Sequence, residues 1–214
     1  MSCVVYWQDH YHPSDSSTDG PSWLTLIGHT KDSLLSVDLF RVESILLRSF
    51  WVTVVMDLFT RRVIGFGAEP ANIDGISICR MFNRAISGQR LPKYLSRDND
   101  PLFRFHRWLA NLRVLEIDEI KSVPHGPVSH PFVERLIGTL RREYFDRVFF
   151  WNGVDLEHKL TEFKDYFNGH RVHRGLNGVT PSRRAEEPAP ALALLNQYAR
   201  QQHCRGLFHT PTAA

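Results

Sequence analysis

Short apolar runs dominate the first half of the chain, and apolar residues at helical spacing dominate the stretch after residue 130. Residues 34–40 (LLSVDLF), 50–58 (FWVTVVMDL) and 62–68 (RVIGFGA) are rich in β-branched and aromatic residues and predict three strands. Thr60-Arg61 reads as the tight turn that makes the last two a hairpin. Ile76, Cys79, Phe82 and Ile86 recur at helical spacing and predict a helix over 73–87, with Asn72 or Asp74 as its cap. Tyr94-Leu95-Ser96 reads as a short strand that ends at Asp98. A helix from Pro101 to Leu112 follows, and then a fifth strand, RVLEI, at 113–117. Residues 118–130, with Pro124, Gly126 and Pro127, read as a loop. Val133, Leu136, Ile137, Leu140 and Tyr144 form one stripe of a helix over 131–148, and a further helix spans 154–168. The pattern is α/β, a mixed sheet flanked by helices.

Composition narrows the class. The chain has 214 residues, 43% apolar and 23% charged, which suits one core domain. No apolar run reaches the ~20 residues a membrane helix needs. The first residues, MSCVVYWQDHYHP, lack the basic-then-apolar layout of a secretory signal. Cys3, Cys79 and Cys204 are odd in number and far apart, which suggests no disulfide framework and fits a cytoplasmic protein. His10, His12, Cys3 and Cys204 lack the CxxC pair that a zinc module would need. Nucleotide-binding glycine loops and the GxSxG elbow are also missing. The net charge of +3 says little, but its distribution says more. From Lys121 to Arg184, 11 Lys/Arg stand against 7 Asp/Glu, and the arginines come as Arg141/Arg142, Arg171/Arg174 and Arg183/Arg184. Such clusters can neutralise phosphates, although each pair taken alone reads equally well as a solvated helix face.

Three acids stand where a catalyst would want them. Asp38 lies in an apolar strand, Asp98 just past another, and Glu134 in the first turn of an amphipathic helix, whose positive end suits a negative charge. A carboxylate in an apolar strand needs a partner, which can be a cation or a metal. Phosphodiester transfer builds charge on the attacking and leaving oxygens. Two divalent ions roughly 3.5–4 Å apart can clamp both. Hard ions such as Mg²⁺ take carboxylate oxygens. Read one at a time, each acid is equally well a surface charge or half of an ion pair.

Taken together, the text around them resembles the D-D-E catalytic core of retroviral integrases and bacterial insertion-sequence transposases, over roughly residues 30–185. The matching segments are VDLF with Asp38, VVMDLFTRRVIGF, LSRDNDPLF with Asp98, HPFVERLIGTLRREYFDR with Glu134, and YFNGHRVHRGLNGVTP at 166–181. Between Asp98 and Glu134 lie 35 residues, the family's typical spacing. The resemblance implies a ribonuclease-H-like mixed five-stranded sheet flanked by helices. It makes Asp38, Asp98 and Glu134 both the catalytic and the metal-binding set, with Mg²⁺ or Mn²⁺ as two ions. Arg141, Arg142, Arg171 and Arg174 become candidate DNA contacts. Asp57 stays structural, paired with Arg61 or Arg62. Asp100 stands where the family often has Gly, which leaves Asp98 or Asp100 to face the metal; the spacing selects Asp98.

The resemblance further implies DNA element ends and target as partners, a homo-oligomer on DNA, no membrane, and a bacterial, nucleoid-associated setting. On this reading residues 1–29 are an N-terminal arm, 30–185 the core and 186–214 a C-terminal tail. The residues before the first strand are too few for a helix-turn-helix, which leaves three explanations: a separate recognition chain, a shortened remnant, or DNA binding by the tail itself. Two rivals remain open. One is a nuclease of the same fold that does not join strands. The other is a shortened, non-catalytic remnant that binds DNA or a full-length transposase.

Overall fold

The computed structural model describes residues 34–97, 100–121, 131–185 and 198–213. Strands β1 (Leu34–Glu43), β2 (Ser49–Asp57) and β3 (Val63–Pro70) form an antiparallel meander. β4 (Tyr94–Arg97) and β5 (Asp118–Lys121) add parallel strands beside β1. The sheet order is β3-β2-β1-β4-β5. Alternation along the strands sorts two cores. Leu35, Val37, Val55 and Leu95 face one side, while Phe40, Val42, Val52, Val54 and Met56 face the other.

The first side is covered by α1 (Gly75–Ala85) and α2 (His106–Val114). Asp74 caps α1 by accepting from the Ile76 and Ser77 amides. α1 meets β3 almost backbone to backbone: a Cβ on Gly65 would sit 2.0 Å from the Ala85 carbonyl oxygen, and one on Gly67 2.2 Å from that of Met81. Trp108 is wholly buried there between Phe82 and Phe103, with ring centroids 5.1 and 5.0 Å away.

The second side is covered by α3 (Pro131–Thr139), which continues as a π-wound segment over Leu140–Phe145, and by α4 (Gly153–Gly169). The expected stripe of Val133, Leu136, Ile137, Leu140 and Tyr144 is buried. The Tyr144 hydroxyl donates to the Lys159 carbonyl at 3.0 Å. At the end of α4 the buried Asn168 amide both accepts from the Val63 N–H and donates to the Val63 carbonyl, each at 2.8 Å. A short helix, α5 (Pro181–Arg184), capped by Thr180, closes this region.

Three expectations are corrected. Residues 113–117 are not the fifth strand. α2 runs to Val114, Glu116 turns through a left-handed φ of 56°, and β5 lies at 118–121, inside the stretch read as loop. The helix expected from Pro101 to Leu112 is a 3-10 turn, Pro101–Arg104, followed by α2. Within the expected tail, β6 (Tyr198–His203) and β7 (Phe208–Ala213) form a hairpin that lies on α4, with Phe208 stacked on Tyr166 at 4.1 Å. The N-terminal arm and the rest of the 122–130 loop lie outside the described residues. Among the described residues no helix is long and apolar enough to cross a membrane.

Candidate active site

Asp38 is the fifth residue of β1 and half-buried, and its side chain accepts from the Leu39 amide at 2.7 Å. Period-two alternation puts it on the same side of the sheet as Phe40 and Val42, the side that α3 covers. Glu134 sits in the first turn of that helix and is exposed. Asp98 lies outside the described residues. The ladder leading to it is described: β1 and β4 run parallel, and their last pair is Val37 with Arg97, the residue before each aspartate in the chain. Arg97 is buried and ion-paired to Glu119 of β5, which ties the end of β4 to its neighbour.

Asp100 does different work. Its carboxylate caps the 3-10 turn by accepting from the Leu102 amide at 2.8 Å. Asp57 has a structural place. Its carboxylate accepts from the Phe59 and Thr60 amides at 2.7 and 2.9 Å, so backbone donors of the β2–β3 turn hold it, with Arg62 as a charge nearby. Burial nonetheless raises its pKa above the usual carboxylate value.

The three acids would offer only oxygen donors, the set that suits hard divalent ions and that softer metals do not require. Two of the three stand on rigid mounts, a central strand and a helix start, which is what ligand geometry demands. Among the described residues no group of three His, Cys, Asp or Glu side chains is placed to hold a metal, and Asp98 is not one of those residues.

The basic candidates divide. Arg141 and Arg142 are exposed. Arg141 lies 5.9 Å from the Phe40 ring, two residues along β1 from Asp38. The Arg142 guanidinium folds back over Gly138, on the i+4 line from Glu134. Arg171 is held by the Glu143 carboxylate through both terminal nitrogens. Arg174 is exposed, in a short 3-10 turn beyond α4. Sequence reasoning passed over Arg61, Arg135 and His173, which the fold gathers beside Arg171 and Arg174. No sequence signal marks that grouping, because its members come from the β2–β3 turn, α3 and the segment after α4.

Comparisons with known proteins bear on the fold that carries these residues. The integrase core domain family matches residues 116–181. A putative transposase, InsK for insertion sequence element IS150 of Escherichia coli K12, is 26% identical over 136 residues, covering 63% of this chain. The chain spans about half of that protein, 48% of its length. Among solved structures, the HTLV-2 integrase catalytic core domain in complex with magnesium superimposes with a TM-score of 0.53 at 17% identity, covering 72% of this chain and 96% of that one. The simian T-cell lymphotropic virus intasome in complex with PP2A regulatory subunit B56 gamma gives a TM-score of 0.58 at 16% identity, covering 84% and 67%. These structural likenesses establish the fold as that of an integrase catalytic core.

Proposed function

We propose that this chain, an integrase- and transposase-type catalytic core, cuts DNA at the end of a mobile element and joins the freed end to a target by metal-dependent polynucleotidyl transfer. The observation that carries the reading is the β1–β4 ladder. It closes on the residue before Asp38 and before Asp98, and Asp38 faces the sheet side covered by the helix whose first turn bears Glu134. Asp38, Asp98 and Glu134 would hold two Mg²⁺ or Mn²⁺ ions. Such ions, when bound, polarise the phosphate and lower the cost of generating the attacking oxyanion.

In the first step a water oxygen bonds to phosphorus, the P–O bond to the 3′ oxygen breaks, the water gives up a proton to solvent, and the freed 3′ oxygen takes one up to become a hydroxyl. In the second step the free 3′ oxygen bonds to a target phosphorus and one target P–O bond breaks, so the number of phosphodiester bonds is conserved. Neither step needs a covalent link to the protein. Asp38 and Glu134 keep the acid set rigid through β1 and α3. Arg141 and Arg142, exposed along the same helix, lie where DNA phosphates would be met. A dimer or larger assembly would hold two element ends together.

The test is a joining assay with a pre-cut element end and Mg²⁺ or Mn²⁺. Asp38→Asn, Asp98→Asn and Glu134→Gln should each abolish strand transfer while the chain stays folded, and calorimetric metal binding should be lost with them. Full activity in any one variant removes that residue from the set. Cleavage without joining in the native chain leaves the nuclease reading.

A further inference from the structure

A cavity of about 280 Å³ opens on the flank of α3 turned away from Glu134. Phe132, Arg135, Leu136 and Thr139, a stripe at helical spacing, form one wall. Arg61 of the β2–β3 turn and the segment from Arg171 to Leu176 form the others. Four arginines and one histidine therefore share one small space. No Asp or Glu is among its lining residues. Glu143 is engaged by Arg171, and no ion pair involves Arg61, Arg135 or Arg174 among the described residues.

Like charges gathered on a partly apolar wall repel one another more strongly than they would in water. The repulsion is visible on Arg61, whose pKa falls to about 10 through burial and the nearby Arg135. His173 falls to about 4 through burial, Arg171 and Arg61, and is neutral at pH 7. Two nitrogens here, Arg61 Nε and His173 Nε2, are buried with no hydrogen-bond partner. A buried N–H without an acceptor is costly, so several cations and two unpartnered nitrogens around one space suit an anionic ligand.

We infer that the cavity between Arg61, Arg135, His173 and Arg174 is a seat for a phosphate oxyanion, separate from the acidic set. Arg61, Arg135 and Arg174 supply the charge and the forked donors that match phosphate. His173, with its proton on Nε2, adds a neutral donor. Two sources share this chemistry, a phosphodiester of bound DNA and free phosphate. The DNA source rests on the function proposed above; the seat itself does not.

Inorganic phosphate is titrated into the full chain at pH 7, with chloride holding the ionic strength constant. Saturable binding is expected in the native chain and equally in Asp38→Asn, which keeps the result independent of the catalytic reading. Arg135→Gln with Arg174→Gln should weaken it at least tenfold, and Arg135→Lys should weaken it less. Thermal melts confirm folding, and Arg113→Gln, on α2 at the other side of the sheet, serves as the unaffected control. No saturable binding in the native chain, or equal binding in the double variant, overturns the inference. Duplex DNA binding measured against salt then separates the sources. A slope of log K on log salt that falls by about 0.9 for each arginine removed assigns the seat to the DNA backbone. An unchanged slope, with phosphate binding abolished in the variant, assigns it to the free anion.

Discussion

The two sides of the sheet are built on different terms. Under α1 and α2 the packing is aromatic and close: Phe82, Phe103 and Trp108 interlock, and glycines let helix and strand touch directly. Under α3 and α4 rings still fill the core, but polar tethers run through it, from Tyr144 to the Lys159 carbonyl and from Asn168 to Val63. Asp38, Glu134 and the arginine-lined cavity all belong to this second side. The difference separates a side filled by interlocked rings and close backbone contact, with the Arg97–Glu119 ion pair at its β4–β5 edge, from a working side whose polar groups are tied to the backbone by hydrogen bonds.

Three changes press on that contrast. The largest stability effect is expected at Trp108→Ala, a loss of roughly 3–5 kcal/mol from the emptied site. Trp108→Phe should cost much less, because the buried indole Nε1 has no acceptor to lose. Denaturant melts check both, and equal losses would mean that the indole nitrogen is satisfied. Next comes Asn168→Ala, which leaves the Val63 N–H and carbonyl unmet at roughly 1–3 kcal/mol each. Asn168→Asp keeps the acceptor alone and should fall between native and Ala; a variant as stable as native would show that water replaces the amide.

The smallest effect is one of pH. His173 titrates at about 4 in the folded chain, against about 6.5 unfolded. Between those values the unfolded chain binds a proton that the folded chain refuses, so stability is lost as pH falls through the window and is retained above it. His170 and His203 are lowered in the same direction. The urea midpoint should therefore drop between pH 6.5 and 4, and His173→Gln should flatten part of that drop. An unchanged slope in the variant would exclude His173 as a contributor.

Much of this was legible in the chain. Strands β1 to β3 announced themselves because a sheet buried on both sides needs β-branched and aromatic residues throughout. The α3 stripe and the Asp74 cap, one of two candidates, were legible for similar local reasons. β5 was not. Its text, DEIK, is polar because Glu119 pairs with buried Arg97, while apolar Leu115 and Ile117 beside it serve the end of α2. The β6–β7 hairpin escaped because Arg200, Gln201 and Gln202 face solvent and break the alternation. The arginine cavity escaped because it exists only after three distant segments meet.

Asn168 has one more consequence. β3 is the outermost strand of the sheet, and an outermost strand offers its free amides and carbonyls to any passing chain. The Asn168 amide takes both groups of Val63, much as the peptide of a neighbouring strand would. One side chain from the end of α4 thereby stands in for a sixth strand at that point, and strand-by-strand growth onto a second molecule is refused where β3 begins.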